Sequence, residues 1–173
     1  MIKKACFIMR GIIARIRNQG RIVLPFHSHL EKRTSIYTSN GQIEFGHGFT
    51  SSTNTAFSAV DGGKMKFGER VNVNRNCIFV CRKSIIIGNH CSFGPNVCVY
   101  DHDHKYNKEG ITAGYKYGEV IIEDYCWIGA GVTILRGSHI GKGCIIGAGC
   151  LIKDNIPPHS IVTMERCLRI REI

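Results

Sequence analysis

A spacing of six residues runs through the second half of the chain and limits what it can fold into. Ile122, Ile128, Ile134, Ile140, Ile146 and Ile152 follow one another without a break. The residues four after them, Cys126, Val132, Ser138, Cys144 and Cys150, are all small. Upstream, Ile87, Phe93 and Val99 form the same ladder with Cys91 and Val97, and Phe67, Val73 and Phe79 an earlier one with Val71 and Cys77. A fainter trace lies near Phe45-Gly46. A period of six fits neither a helix nor simple alternation in a strand. It fits a coil in which every side is one short strand and one turn, with one aliphatic residue pointing inward and a small residue at the corner. Three sides make one coil, which stacks Ile122 under Ile140, Ile128 under Ile146 and Ile134 under Ile152. Neighbouring coils then lie about 4.8 Å apart, the spacing of paired strands. Each buried Ile contributes about 1.5–3 kcal/mol relative to exposure, so the stack can be the core by itself.

This arrangement gives the cysteines a structural reason. Cys77, Cys91, Cys126, Cys144 and Cys150 fall on small corner positions, where a free Cys packs as a small hydrophobe. The count of nine is odd and no CxxC pair occurs, so the expectation is a reduced, cytoplasmic chain. Residues just before each inward Ile point outward. Trp127 then stacks with Ile145 and Thr133 with Leu151, apolar surface that should not face water and that predicts packing against further copies of the prism or a terminal helix. The net charge of +10 is concentrated at the N-terminal end; residues 34–173 carry only a small excess of basic side chains, which gives no ground for a nucleic-acid partner.

The ladder is interrupted once. Val99 and Ile122 lie 23 apart instead of six, so the segment 101–117 leaves the coil. It holds Asp101-His102-Asp103-His104 and Tyr115-Lys116-Tyr117, and a loop thrown from a regular repeat is usually functional. Residues 1–20 have apolar positions at Ile2, Cys6, Met9, Ile13 and Ile16, which predicts an amphipathic helix. Such a helix caps the open end of a coil stack or lies on an anionic membrane surface at the inner face. The β-helix is expected over 35–162, with 163–173 a short C-terminal segment.

The ladder, the loop with its histidines, Trp127-Ile128-Gly129-Ala130-Gly131 and the ending Gly147-Ala148-Gly149 then Ile156-Pro157-Pro158 resemble the hexapeptide-repeat acyltransferases. Within that superfamily the resemblance is to the maltose/galactoside O-acetyltransferases and the capsular or lipopolysaccharide O-acetyltransferases. It covers roughly residues 65–173, with a weaker continuation toward 35. The resemblance implies an all-β fold, a left-handed parallel β-helix, a homotrimer with its site between subunits, and acetyl-CoA as co-substrate, with no metal. Counted without gaps from Asn96, the catalytic His falls on His104, and the acceptor-lining Asn on Asn74. Trp127 and His102 join the acceptor site. Gly129, Ala130 and Ala148 line the path of the pantetheine, while Lys153 and Arg171 meet the phosphates. Lys153 is displaced by one position from the family pattern, and Met164-Glu165-Arg166 replaces the residues expected after the prolines.

The implied chemistry is direct attack of a sugar or polysaccharide hydroxyl on the thioester. A His base near neutrality takes the proton and coil-turn N–H groups stabilise the oxyanion. His102 and His104, one residue apart in an extended stretch, are expected to face opposite sides, which would leave only one toward the cleft. Two other readings compete. A gamma-type carbonic anhydrase-like zinc site would need two histidines five apart, and no two here have that spacing. A non-catalytic β-helix binding protein would have no need of the polar loop.

Overall fold

The computed structural model describes residues 19–25 and 27–165. The expected helix at 1–20 lies almost wholly outside the described residues, and so does the end of the C-terminal segment, with Arg171. Strands begin at Ile22–Val23, upstream of the start expected at 35. From there the chain winds through parallel strands on three faces, the left-handed β-helix of hexapeptide repeats. The first face is a seven-stranded sheet that includes Lys64–Phe67, Ser84–Ile87 and Val120–Ile122. The second is a seven-stranded sheet that includes Asn72–Val73, Ser92–Phe93 and Trp127–Ile128. The third has six strands, among them Ile78–Cys81, Cys98–Tyr100 and Thr133–Ile134. The first edge joins the first face to the second, the second edge the second to the third, and the third edge returns to the first face.

The register agrees with the ladder. Ile122 pairs with Ile140, Ile128 with Ile146 and Ile134 with Ile152. The outward pairs Trp127–Ile145 and Thr133–Leu151 follow from the same register. Upstream the coils are wider because strands of the first and third faces run to four or five residues and turn two of them inward, as with Met65 and Phe67 in Lys64–Phe67 and Phe57 and Ala59 in Ala56–Val60. Phenylalanines fill that wider interior: Phe45 and Phe67 stack at 5.2 Å, and Phe57 meets Phe79 at 5.2 Å.

The corners are closed by two devices. Small buried side chains turn inward, and the cysteines among them donate S–H to a carbonyl of the next coil: Cys77 to Gly94 at 3.2 Å, Cys126 to Gly141 at 3.2 Å and Cys144 to Pro157 at 3.0 Å. Cys77, Cys81, Cys91, Cys98, Cys126, Cys144 and Cys150 are all free thiols. Beside them many turns place one residue in the left-handed region. On the second edge these are Arg33, Asn54, Asn76 and Asn96, then Gly131 and Gly149, with φ between 59° and 72°. Asn tolerates that region and Gly adopts it without a Cβ clash. Gly129 is required for a different reason: a Cβ there would meet the nitrogen of Ala148 and the oxygen of Ile146 at 2.7 Å.

Candidate active site

The interrupting segment is an antiparallel hairpin, His102–Asn107 paired with Gly110–Tyr117, rather than an irregular loop. Its tip is set by Asn107, whose Oδ1 accepts from Glu109 N at 2.9 Å, and by Gly110 at φ 123°. At its base Gly118 N donates to Asp101 O at 2.9 Å. Arg136 Nε donates to Asp103 Oδ2 at 2.5 Å and ties the hairpin to the following coil.

Asp101 is fully buried where the hairpin leaves the third face. The pairing of Tyr100 with Val80 brings the turn after Cys81 alongside it. Its carboxylate accepts backbone N–H groups from Arg82 at 2.9 and 3.0 Å, Lys83 at 2.6 Å and Ser84 at 2.8 Å. The Cys81 thiol donates to the same carboxylate at 3.3 Å, and burial followed by that charge pushes the thiol well above its ordinary range. Asp101 Oδ1 also lies 2.9 Å from His102 Nδ1. With the carboxylate as acceptor, Nδ1 carries the hydrogen and Nε2 the lone pair. The His102 side chain is only 12% exposed.

The expectation that His102 and His104 face opposite sides fails. In a strand, residues two apart lie on the same face. Both imidazoles flank Tyr115, at 5.3 and 4.8 Å between ring centroids. His104 is exposed, and among the described residues no carboxylate pairs with it. Arg82, which the sequence gave no reason to select, lies over the Tyr115 ring at 3.9 Å and is ion-paired with Asp61. It enters the site only through the coil register, which sets its backbone against Asp101, 19 residues further along the chain.

The other expected site residues sit elsewhere. Asn74, Gly94, Gly129 and Gly147 follow the paired residues Val73, Phe93, Ile128 and Ile146 on the second edge. Ala130 and Ala148 are exposed there, linked by Gly149 N to Ala130 O at 2.8 Å. Asn74 Oδ1 accepts from Arg75 N at 2.8 Å, which braces its own turn. Trp127, 56% exposed, stands on the second face next to this edge. Lys153 is exposed on the third edge, on the hairpin's side of the prism and away from Ala148. One prism therefore carries an imidazole edge and a small-residue edge, separated by the third face. Among the described residues no three His, Cys, Asp or Glu side chains gather as a metal site requires.

Residues 119–154 match the bacterial transferase hexapeptide (six repeats) family. The chain is 38% identical to a galactoside O-acetyltransferase of Lactococcus lactis over 119 residues, 68% of this chain and 58% of that protein. It thus spans little more than half the length of that curated relative. Among solved structures, it resembles the N-acyltransferase AntD of Bacillus cereus, in complex with dTDP and 3-hydroxybutyryl-CoA, with TM-score 0.74 and 17% identity over 88% of this chain and 81% of that one. It also resembles a hexapeptide-repeat acetyltransferase of Vibrio cholerae complexed with acetyl-CoA, with TM-score 0.58 and 20% identity over 88% of this chain and 70% of that one. At these identities the two structures speak to the fold alone. Ladder, register and relatives agree: residues 119–154 carry the repeats of the hexapeptide family, and the chain is similar to its acetyltransferases.

Proposed function

We propose that the protein is an acetyl-CoA-dependent O-acetyltransferase acting on a sugar or polysaccharide hydroxyl, with its site completed between neighbouring copies in a homotrimer. The single observation that carries the reading is the Asp101–His102 pair at 2.9 Å, which leaves an oriented imidazole at the base of the hairpin. The curated relative's name supports acetyl transfer to a galactoside, and the Vibrio structure supports acetyl-CoA as donor. The second edge fits the donor: Gly129 has no room for a side chain and Ala130 and Ala148 are exposed and small, so a pantetheine arm can lie against the backbone. The hairpin of one copy reaching the second edge of the next brings the imidazole to that groove. Exposed Trp127, Leu151 and Ile161 supply apolar surface for such packing.

In this reading His102 Nε2 takes the proton of the acceptor hydroxyl as its oxygen attacks the thioester carbonyl. Backbone N–H groups of the coil turns hold the oxyanion. As the tetrahedral centre collapses, His102 returns the proton to the departing thiolate of CoA. Asp101 stays a carboxylate throughout; its hydrogen bond fixes the tautomer and steadies the imidazolium. Asn74 and Trp127 border the acceptor, and His104 and Tyr115 extend its aromatic wall. Lys153 and Arg171 remain the proposed phosphate contacts.

Steady-state kinetics of His102→Ala and His104→Ala tests the assignment. His102→Ala is expected to lose about 10²–10⁴-fold in kcat with CoA binding intact, and His104→Ala much less. The reverse pattern returns the base to His104, as the ungapped count from Asn96 has it.

A further inference from the structure

The second edge changes character half-way along the prism. Its upper turns read Glu31-Lys32-Arg33, Ser52-Thr53-Asn54 and Asn74-Arg75-Asn76. Its lower turns read Gly94-Pro95-Asn96, Gly129-Ala130-Gly131 and Gly147-Ala148-Gly149. The six turns are in register, joined by Asn54 N to Lys32 O at 3.2 Å, Asn76 N to Thr53 O at 3.1 Å, Asn96 N to Arg75 O at 3.0 Å, Gly131 N to Pro95 O at 2.9 Å and Gly149 N to Ala130 O at 2.8 Å. The lower half carries no charge. The upper half carries Lys32, Arg33 and Arg75 against Glu31, all exposed. Among the described residues none of these three cations enters an ion pair. Beside the hairpin, by contrast, Arg82 and Arg136 are matched by Asp61 and Asp103. The cations stand on a stiff support, because the amides of Asn54, Asn76 and Asn96 are linked in a ladder at 3.3 and 3.1 Å.

We infer that this upper edge binds an anionic group of the acceptor, a carboxylate or a phosphate, so that the acceptor is a charged sugar. The inference rests on the O-acetyltransferase reading, in which the lower half of the same edge holds the uncharged pantetheine arm. That arm calls for no charge and meets none. The acceptor reaches the imidazole from the remaining, upper side, where the unpaired cations raise the local concentration of an anion. Arg33 and Arg75 are two coils apart, about 10 Å, a span that suits a diphosphate or two charged units of an acidic glycan better than one isolated anion.

The test uses the full chain, acetyl-CoA and three probes: oligogalacturonate for carboxylates, UDP-N-acetylglucosamine for phosphate, and neutral maltotriose. Thiol release gives the rates and calorimetry gives binding of each probe and of CoA. One charged probe is expected to have a KM about tenfold below that of maltotriose, rising with salt as exposed charges are screened. The double variant Arg33→Gln/Arg75→Gln should raise that KM about tenfold and leave CoA binding and the maltotriose rate unchanged. The charged probe that responds identifies the anion. A better KM for maltotriose, or a charged-probe KM indifferent to the double variant, overturns the proposal while leaving acetyl transfer standing. If no probe releases thiol and acetyl-CoA does not bind, the acetyl-transfer reading is what fails. Calorimetry then decides the edge alone: a charged probe that binds the parent protein and loses affinity in the double variant supports it, and absence of binding overturns it.

Discussion

The coils before the hairpin and those after it follow one plan with different fillings. After the hairpin the coils take 18 residues, as the Ile122–Ile140 and Ile128–Ile146 pairs give, until the last, where Ile140 pairs with Ile156 and Ile146 with Val162, 16 residues on. One Ile per face points inward there, and Cys, Val or Ser closes the corner. Before it, Met65 pairs with Ile85, Ile36 with Phe57 and Phe57 with Phe79, so a coil takes 20 to 22 residues. The added residues lengthen the first and third faces, and the wider interior is filled by rings. The difference shows that the three-faced prism fixes the register and the corners, while its girth adjusts to the side chains available.

The largest expected effect lies in the ring-filled half. Phe67 touches Phe45, Phe49, Phe57 and Phe79, so Phe67→Ala opens a cavity among stacked rings and should cost about 3–5 kcal/mol by chemical denaturation. The corresponding change in the regular half is gentler, and Ile134→Val should cost about 0.5–1.5 kcal/mol. Equal costs would mean that the two halves are not packed differently. Between these lies Gly129→Ala at the corner. Its Cβ meets backbone that cannot move aside, and a cost of about 1–3 kcal/mol is expected in the same measurement.

That contrast also explains how much was legible in the sequence. Where one residue in six points inward, Ile122 to Ile152 announce the coil, its register and the outward Trp127–Ile145 pair. Where Ile43 and Phe45, or Met65 and Phe67, both point inward from one strand, the period breaks and the repeat fades toward residue 35. The hairpin was visible as an interruption, and its histidines as candidates. Their shared face was missed because strand alternation was misapplied to residues two apart. Arg82 and the N–H groups that hold Asp101 are distant in sequence, and only the stacking of one coil on the next assembles them.

The smallest expected effect is a pH dependence seated in the corners. Burial pushes the Cys77 thiol from its ordinary value of 9.0 up to about 11. The folded state therefore holds that proton more tightly than the unfolded chain does. The contribution is complete below pH 9.0 and is lost as pH rises toward about 11. Melting temperatures between those limits should fall less steeply in Cys77→Ser, which has no thiol to ionise. Parallel curves for parent and variant would place the loss at other groups.

The central claim, a site built from the hairpin of one copy and the small-residue edge of the next, is tested most directly by mixing two damaged chains. His102→Ala removes the imidazole edge, and Ala148→Leu blocks the other. Each alone should be nearly inactive in acetyl-CoA turnover. Co-expressed in equal amounts, they should form mixed assemblies in which about a quarter of the interfaces pair an intact imidazole with an intact groove, so activity should return to about that fraction of the parent. Recovery of that size is the predicted result; mixed assemblies as inactive as either variant alone would contradict the account.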